Sequence, residues 1–209
     1  MAIAKEGYPI IFTVAALALI ALGVGWTTIG IILLVLTLAI TAFFRDPERT
    51  PPAGEGLIVA PADGKIVSLA EVQGAAGFPE AGCRVSIFLS PLDVHINRIP
   101  VEGEVKEVRH RHGKFMPAYK DEASERNEQN ALRITDFAGR DLGVVQVAGV
   151  LARRIVCRVR QGDRLERGER FGLIMFGSRL DVYLPRGSRV DVVEGQRVRG
   201  GETVIGRFV

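Results

Sequence analysis

The chain contains little cysteine, little histidine and few aromatic residues. Two of its 209 residues are cysteines and three are histidines, and neither Cys83 nor Cys157 belongs to a Cys-x-x-Cys pair. This scarcity argues against a disulfide framework and a zinc–thiolate site. The aromatic fraction of 7% also leaves no aromatic, basic platform for nucleic acid. We therefore expect buried, reduced thiols and no nucleic-acid partner.

Two of the histidines are the one candidate for metal ligation. His110 and His112 are two positions apart, so in a strand both side chains would lie on the same face. The neighbouring sequence supplies no third ligand, and three protein ligands are the usual minimum for zinc. We therefore expect no metal ion.

Charge is absent from Tyr8 to Phe44. A helix that spans a bilayer needs about 20 apolar residues, and this segment is much longer. Glycines and threonines interrupt it between Gly23 and Gly30. Because backbone polar groups in lipid must be satisfied internally, both arms should be helical. The pattern predicts a membrane-associated helical hairpin over residues 1–46, which either spans the bilayer or inserts into one leaflet.

A cleaved signal peptide is the alternative for this segment. The apolar stretch is too long for one, and no small-residue cleavage site follows; the next residues are Arg45-Asp-Pro-Glu-Arg49. A hairpin would place Lys5 on the same side as these arginines, and positive residues favour the cytoplasmic side. We expect a cell-membrane protein whose remaining part faces the cytoplasm.

Residues 47–209 are predicted to form a mainly β domain. Short β-branched stretches recur between glycines and prolines, which is typical of strands bounded by turns. Residues 117–133 are the one helix candidate, and the polar part 120–130 fits a loop equally well. The predicted strands are 56–60, 65–70, 84–89, 101–109, 141–147, 153–159, 171–176, 180–184 and 189–193.

Two weak internal repeats refine this fold class. Residues 161–172 resemble 194–206, and residues 61–66 resemble 100–105. These turns resemble those of lipoyl-type barrel-sandwich domains, which are pseudo-symmetric β folds. Alone, this pattern suggests a non-enzymatic, membrane-anchored adaptor or carrier. The lysine-bearing hairpin tip of a lipoyl carrier is not found in the sequence.

Four sequence segments are more specific than the apolar N-terminal stretch or the turn repeats. By the order and spacing of these segments, the chain resembles the phosphatidylserine decarboxylase family in its short, type A-like, pyruvoyl-dependent form. The segments are Phe43-Phe-Arg-Asp-Pro-Glu-Arg-Thr-Pro51, Ala60-Pro-Ala-Asp-Gly-Lys-Ile66, Phe88-Leu-Ser-Pro-Leu-Asp-Val-His-Ile-Asn-Arg-Ile-Pro100 and Phe176-Gly-Ser-Arg-Leu-Asp-Val-Tyr-Leu-Pro185.

The resemblance implies a carboxy-lyase that converts the phospholipid phosphatidylserine to phosphatidylethanolamine. It implies that the proenzyme cuts itself between Gly177 and Ser178, leaving a β chain (1–177) and an α chain (178–209). Ser178 would become a covalent pyruvoyl group, which forms a Schiff base with the substrate amine, and no metal would be required. The product would be an α/β heterodimer, with a higher homo-oligomer left open.

The residues of these segments suggest roles in that chemistry. The Ser178 hydroxyl would attack the Gly177 carbonyl, and a weak nucleophile of this kind needs an adjacent base. His95 is the candidate acid and base, because histidine titrates near neutral pH, and Asp63 would orient it. Arg98 or Arg179 could bind the lipid phosphate.

The chain departs from the longer relatives at two positions. Their Leu-Gly-Ser-Thr-like cleavage motif is Phe-Gly-Ser-Arg here, and Arg98 replaces the second histidine of their histidine motif. Either His95 serves both processing and decarboxylation, or another group assists. A serine hydrolase with an intact Ser178 is a third interpretation, but the chain lacks its Gly-x-Ser-x-Gly elbow.

Overall fold

A computed structural model describes residues 2–75, 77–117, 123–150, 154–175 and 177–209. Residue contacts divide the chain into two units, Met1–Glu48 and Arg49–Val209. Part of the predicted 117–133 helix and the Phe176 position of the cleavage motif lie outside the described residues.

The first unit is a hairpin of two apolar helices, α1 (Tyr8–Gly23) and α2 (Thr27–Phe43), preceded by a 3-10 turn at Lys5–Gly7. The helices pack closely at Gly30, where a Cβ would lie 2.5 Å from the Leu22 side chain. Strands β1 (Ala2–Ile3) and β2 (Arg45–Asp46) pair and close the base. The predicted helical hairpin is therefore confirmed.

The helical segment Lys5–Gly23 is long and apolar enough to cross a membrane, whereas Thr27–Phe43 is shorter. Their large apolar side chains are mostly exposed, as Phe12, Leu19, Val35 and Leu38 illustrate. Helices that are apolar all round and unburied in their own unit are suited to a lipid environment.

The second unit is mainly β, as predicted, with the short helix α3 (Ala123–Arg126). Its strands are β3 (Leu57–Val59), β4 (Gly64–Glu71), β5 (Ala81–Leu89), β6 (Ile96–Arg98), β7 (Gly103–Arg111), β8 (Gln129–Thr135), β9 (Asp141–Val147), β10 (Ile155–Cys157), β11 (Arg164–Leu165), β12 (Arg170–Ile174), β13 (Ser178–Pro185), β14 (Arg189–Val190), β15 (Arg197–Val198) and β16 (Val204–Arg207).

A curled eight-stranded antiparallel sheet is the centre of this unit, in the order β11-β7-β8-β9-β13-β5-β4-β15. Two three-stranded sheets, β10-β12-β6 and β14-β16-β3, accompany it. This arrangement agrees with the predicted sandwich- or barrel-like fold class. Strand β13 pairs with β5 on one side and β9 on the other, so it lies inside the large sheet.

The two faces of the large sheet bury different residues. On β13, Leu180, Val182 and Leu184 belong to the main core, together with Ile174 of the smaller sheet. Tyr183 alternates to the other face, where a second apolar cluster includes Phe78, Val145 and Val147. The period-2 alternation of a strand therefore determines which side chains can meet the core.

Candidate active site

Ser178 begins β13 and lies opposite Leu89, the last residue of β5. The residue is 0% exposed, and alternation along the strand directs its side chain to the same face as Leu180. Its Oγ has no hydrogen-bond partner among the described residues. A buried polar group without a partner costs about 1–3 kcal/mol, so this hydroxyl does not stabilise the fold.

Gly177 has the backbone conformation that favours glycine. Its φ is +62°, in the left-handed region, which costs other L-residues about 1–2 kcal/mol. A Cβ at this position would meet nothing within 4 Å. The requirement for glycine is therefore conformational rather than a matter of space.

His95 is buried (2% exposed) immediately before β6. Its Nδ1 lies 2.9 Å from the Asp93 carbonyl oxygen, and because a carbonyl only accepts, Nδ1 donates. The Asp93 carboxylate accepts from the Ser90 backbone N–H and from Arg197. Burial alone would raise the pKa of Asp93, but these hydrogen bonds outweigh it and hold that pKa below its ordinary value. The turn therefore fixes the histidine ring.

Two connections lead from Ser178 to His95. Strand β5 ends at Leu89, opposite Ser178, and the chain then reaches His95 through a short turn. Strand β12, the partner of β6, ends at Ile174, four positions before Ser178. Ser178 and His95 are thus connected through the ends of β5 and β12.

Asp63 lies in the turn between β3 and β4. Its carboxylate accepts hydrogen bonds from Arg49 at 2.9 Å and from the backbone N–H of Gly200 at 2.8 Å. The same turn is joined to β6, because the Arg98 N–H donates to the Pro61 carbonyl at 2.8 Å. Asp63 is therefore held beside the strand that follows His95.

Arg98 is buried on β6 at 4% exposure. Its Nη1 donates to the Gly168 carbonyl at 2.9 Å, and a Cβ on Gly201 would lie 2.9 Å from its Cδ. The aliphatic part of the Arg98 side chain is thus closely packed, and its strand directly follows His95.

Arg179 lies on the opposite face of the sheet from Ser178. Its Nε is 2.9 Å from Asp181 Oδ1, and the side chains are 1% and 0% exposed. Ser124 donates to Asp181 at 2.6 Å and also contacts the Arg179 guanidinium. The two buried charges therefore pair with each other and with the Ser124 hydroxyl. Such partners are needed because a buried charge without them is costly.

A chain of buried amides is the feature near this site that the sequence did not reveal. Gln146 on β9 donates to Asn97 at 2.8 Å, and Asn130 on β8 donates to Gln146 at 3.0 Å. Asn97 also donates to the His95 carbonyl at 3.3 Å. Gln146 is a polar residue that follows Leu142-Gly-Val-Val145 in β9. This break in an apolar run is the sequence signal that could have indicated the buried amides.

A cavity of about 410 Å³ lies on the face of the large sheet that carries Tyr183. Phe78 and Tyr183, which stack at 5.0 Å between centroids, contribute to its wall together with four arginines. Ser178, His95 and Asp63 do not line it. The predicted catalytic residues therefore lie outside this cavity. The four arginines are Arg84, Arg109, Arg111 and Arg133.

The prediction that no third potential ligand lies near His110 and His112 is wrong. Glu128 lies with His110 and His112, and the potential ligand atoms of all three are within 4.8 Å of one another. Because the third ligand comes from a neighbouring strand end, sequence proximity could not reveal it.

Comparison with known proteins assigns the family. The phosphatidylserine decarboxylase family model matches residues 36–206. The chain belongs to this family. It is thereby a decarboxylase, a class of carboxy-lyase, and the resemblance of the four sequence segments is confirmed.

Three relatives, each called phosphatidylserine decarboxylase proenzyme, show how far the similarity extends. The Gluconobacter oxydans protein is 55% identical over 170 residues, covering 79% of this chain and 75% of the relative. The Symbiobacterium thermophilum protein is 49% identical, covering 99% and 95%. The Syntrophus aciditrophicus protein is 42% identical, covering 99% and 97%. The similarity thus includes the hairpin as well as the β domain.

Proposed function

We propose that this chain cuts itself between Gly177 and Ser178, converts Ser178 to a pyruvoyl group, and then decarboxylates phosphatidylserine to phosphatidylethanolamine. The observation that carries the proposal is the environment of Ser178. Its buried hydroxyl has no hydrogen-bond partner among the described residues, it follows a glycine at φ +62°, and it pairs with Leu89, from which a short turn leads to His95. These features support a role for Ser178 as the reacting nucleophile rather than as a structural residue.

Processing would begin with attack of Ser178 Oγ on the Gly177 carbonyl carbon. The peptide C–N bond breaks as an ester forms, and the nitrogen of Ser178 becomes an amine. Loss of the Cα proton then expels the Gly177 carboxylate and leaves dehydroalanine at position 178. Water replaces the nitrogen, which departs as ammonia, and a ketone remains at the new N-terminus. This chemistry requires a base near Oγ.

His95 is the proposed base and later acid. Because Nδ1 donates to the Asp93 carbonyl, the neutral ring carries its lone pair on Nε2. That atom would take the Ser178 hydroxyl proton during processing and would return a proton to the substrate carbon after CO2 has left. The pyruvoyl group supplies an electrophilic ketone that accepts the electrons released by decarboxylation.

Asp63 would stabilise the positive charge that His95 acquires. Its turn is hydrogen-bonded through Pro61 and Arg98 to β6, the strand that follows His95, and this contact supports the assignment. The ion pair with Arg49 and the hydrogen bond from Gly200 hold it in that turn. Of the two arginines proposed for the lipid phosphate, we favour Arg98, because it lies on the strand that follows His95, whereas Arg179 points to the opposite face of the sheet from Ser178 and pairs with Asp181 there.

The cut chain would stay assembled as an α/β heterodimer. The proposed α chain (178–209) contributes β13, which pairs with β5 and β9 of the proposed β chain. It also contributes β15 and β16, which pair with β4 and β3. The hydrogen bonds of these strand pairs would hold the two pieces together without a covalent link.

The hairpin would hold the enzyme at its lipid substrate. Ile3 pairs with Arg45, so both ends of the hairpin lie together, and Lys5 and Arg45 then share one side of the membrane. By the positive-inside tendency that side is cytoplasmic. We place the β domain at the cytoplasmic surface of the cell membrane on this basis.

The decisive assay measures labelled CO2 released from carboxyl-labelled phosphatidylserine in mixed detergent micelles, with phosphatidylethanolamine as the co-product. The wild-type protein should release both, and Ser178→Ala should release neither. Cyanoborohydride should attach the lipid to the 178–209 fragment. Turnover by Ser178→Ala equal to that of the wild type would overturn the proposal.

A further inference from the structure

A cluster of two imidazoles and one carboxylate lies at one end of the β7–β8 pair. His110 is in β7 and His112 follows its end, and their rings lie against each other edge to face. The register pairs His110 with Asn130 and ends at Arg111 and Gln129, so His112 and Glu128 are the residues next to the last pair. The Nε2 atom of His110 is 3.4 Å from the Glu128 carboxylate. None of these groups belongs to the proposed decarboxylase chemistry.

The separations match those of a metal centre. Ligand atoms about 2.0–2.2 Å from a tetrahedral zinc ion lie about 3.3 Å from one another. The His110–Glu128 distance already has this value, and all three potential ligand atoms lie within 4.8 Å. The two imidazole rings are edge to face at 4.8 Å between centroids. Because both histidines are exposed, small side-chain rotations can close the remaining distance.

We infer that His110, His112 and Glu128 bind a divalent transition-metal ion, with Zn²⁺ as its simplest representative. Two imidazoles and a carboxylate are a common three-ligand set for zinc, and water completes the coordination. Nitrogen ligands disfavour Ca²⁺ and Mg²⁺, which prefer oxygen. The site is separate from Ser178 and His95, so the inference does not depend on the proposed function.

The ion would tie together the two ends of the segment that connects β7 and β8. That segment contains Asn127, which bonds to the backbone of Met116 and Ala148. It also contains Ser124, which donates to the buried Asp181. A metal bridging His112 and Glu128 would restrain this connection. Zinc should therefore raise the thermal unfolding temperature, because ligands that bind the folded state stabilise it.

The test is a zinc-binding titration of the full-length, purified protein, with Co²⁺ absorption as a second readout. The wild type should bind Zn²⁺ at this site and give the visible spectrum of Co²⁺ coordinated by nitrogen and oxygen. His112→Ala and Glu128→Gln should weaken binding at least about 10–100-fold, since the loss of even an outer-shell partner has that effect. The matched control is Glu104→Gln, which removes a carboxylate from the other end of β7 and should bind as the wild type does.

Glu128→Gln keeps the shape of the side chain, and circular dichroism shows whether this variant is folded. If His112→Ala is unstable, the zinc affinity of Glu128→Gln alone tests the inference. Wild-type-like zinc affinity in folded Glu128→Gln would overturn the inference. An absence of zinc binding by the wild-type protein, or an unchanged Co²⁺ spectrum in the variants, would also overturn it.

Discussion

The Nδ1 atom of His95 lies 2.9 Å from the carbonyl oxygen of Asp93, two residues earlier in the chain. This contact selects the tautomer whose basic atom is Nε2. The Asp93 carboxylate in turn accepts the Ser90 N–H, so one short turn determines both the position and the chemical form of the ring.

Replacing His95 should slow self-cleavage severely. We expect His95→Gln to process about 10²–10⁴-fold more slowly than the wild type, which is the contribution of a positioned general base. The measurement is the fraction of uncut chain against time after synthesis, followed by gel electrophoresis. His110→Gln, which removes an exposed histidine, should process normally. Equal processing rates in wild type and His95→Gln would exclude His95 as the base.

Replacing Gly177 should affect both stability and processing. In Gly177→Ala the left-handed backbone costs about 1–2 kcal/mol, and a shifted carbonyl should slow processing about 10²-fold. Gly187→Ala is the matched control, because Gly187 has φ +81° and also has no atom within 4 Å of an added Cβ. It should lose similar stability, measured by urea unfolding, yet process at the wild-type rate. Slow processing in both variants would mean that general destabilisation is the cause.

The carboxylate of Asp93 should contribute stability that depends on pH. Its pKa is lowered in the folded protein because hydrogen bonds from Ser90 and Arg197 outweigh the effect of burial. This contribution is full above the unfolded pKa of about 4 and is lost as pH falls through the lowered folded value. In urea unfolding, the difference between wild type and Asp93→Asn should therefore shrink on acidification. A difference that is constant with pH would contradict this origin.

The buried amide chain should behave as one coupled unit. Gln146→Ala removes the partner of both Asn97 and Asn130, and each buried group left unsatisfied costs about 1–3 kcal/mol. The double variant Asn130→Ala/Gln146→Ala should lose less stability than the sum of the two single changes, because the two residues share an interaction. Strict additivity in urea unfolding would show that the amides act independently.

Much of the β domain could be predicted from the sequence. The stretches around β4, β5, β9 and β13 have β-branched residues between glycines or prolines, and their bounds differ from the observed strands by only a few residues. The charge-free N-terminal segment likewise predicted the helical hairpin. Local periodicity and turn residues are sufficient where a strand is long and has one apolar face.

Strand β8 and the surroundings of Arg179 could not be predicted in this way. The polar composition of residues 120–130 suggested a helix or loop, but Gln129–Thr135 is a strand because β7 and β9 flank it on both sides. The position of Arg179 beside Ser178 in the sequence suggests a phosphate ligand. Its ion pair with Asp181 follows from strand alternation and from the tertiary position of Ser124. The meeting of Glu128 with His112 depends on β7–β8 register, which no local pattern encodes.

Self-cleavage between Gly177 and Ser178 is tested most directly by an intact-mass spectrum of the purified protein. The wild type should give two fragments that correspond to residues 1–177 and 178–209, the smaller one lighter by one ammonia and blocked at its N-terminus. Ser178→Ala should remain one chain. A wild-type protein that stays whole after membrane extraction and prolonged incubation would contradict the account.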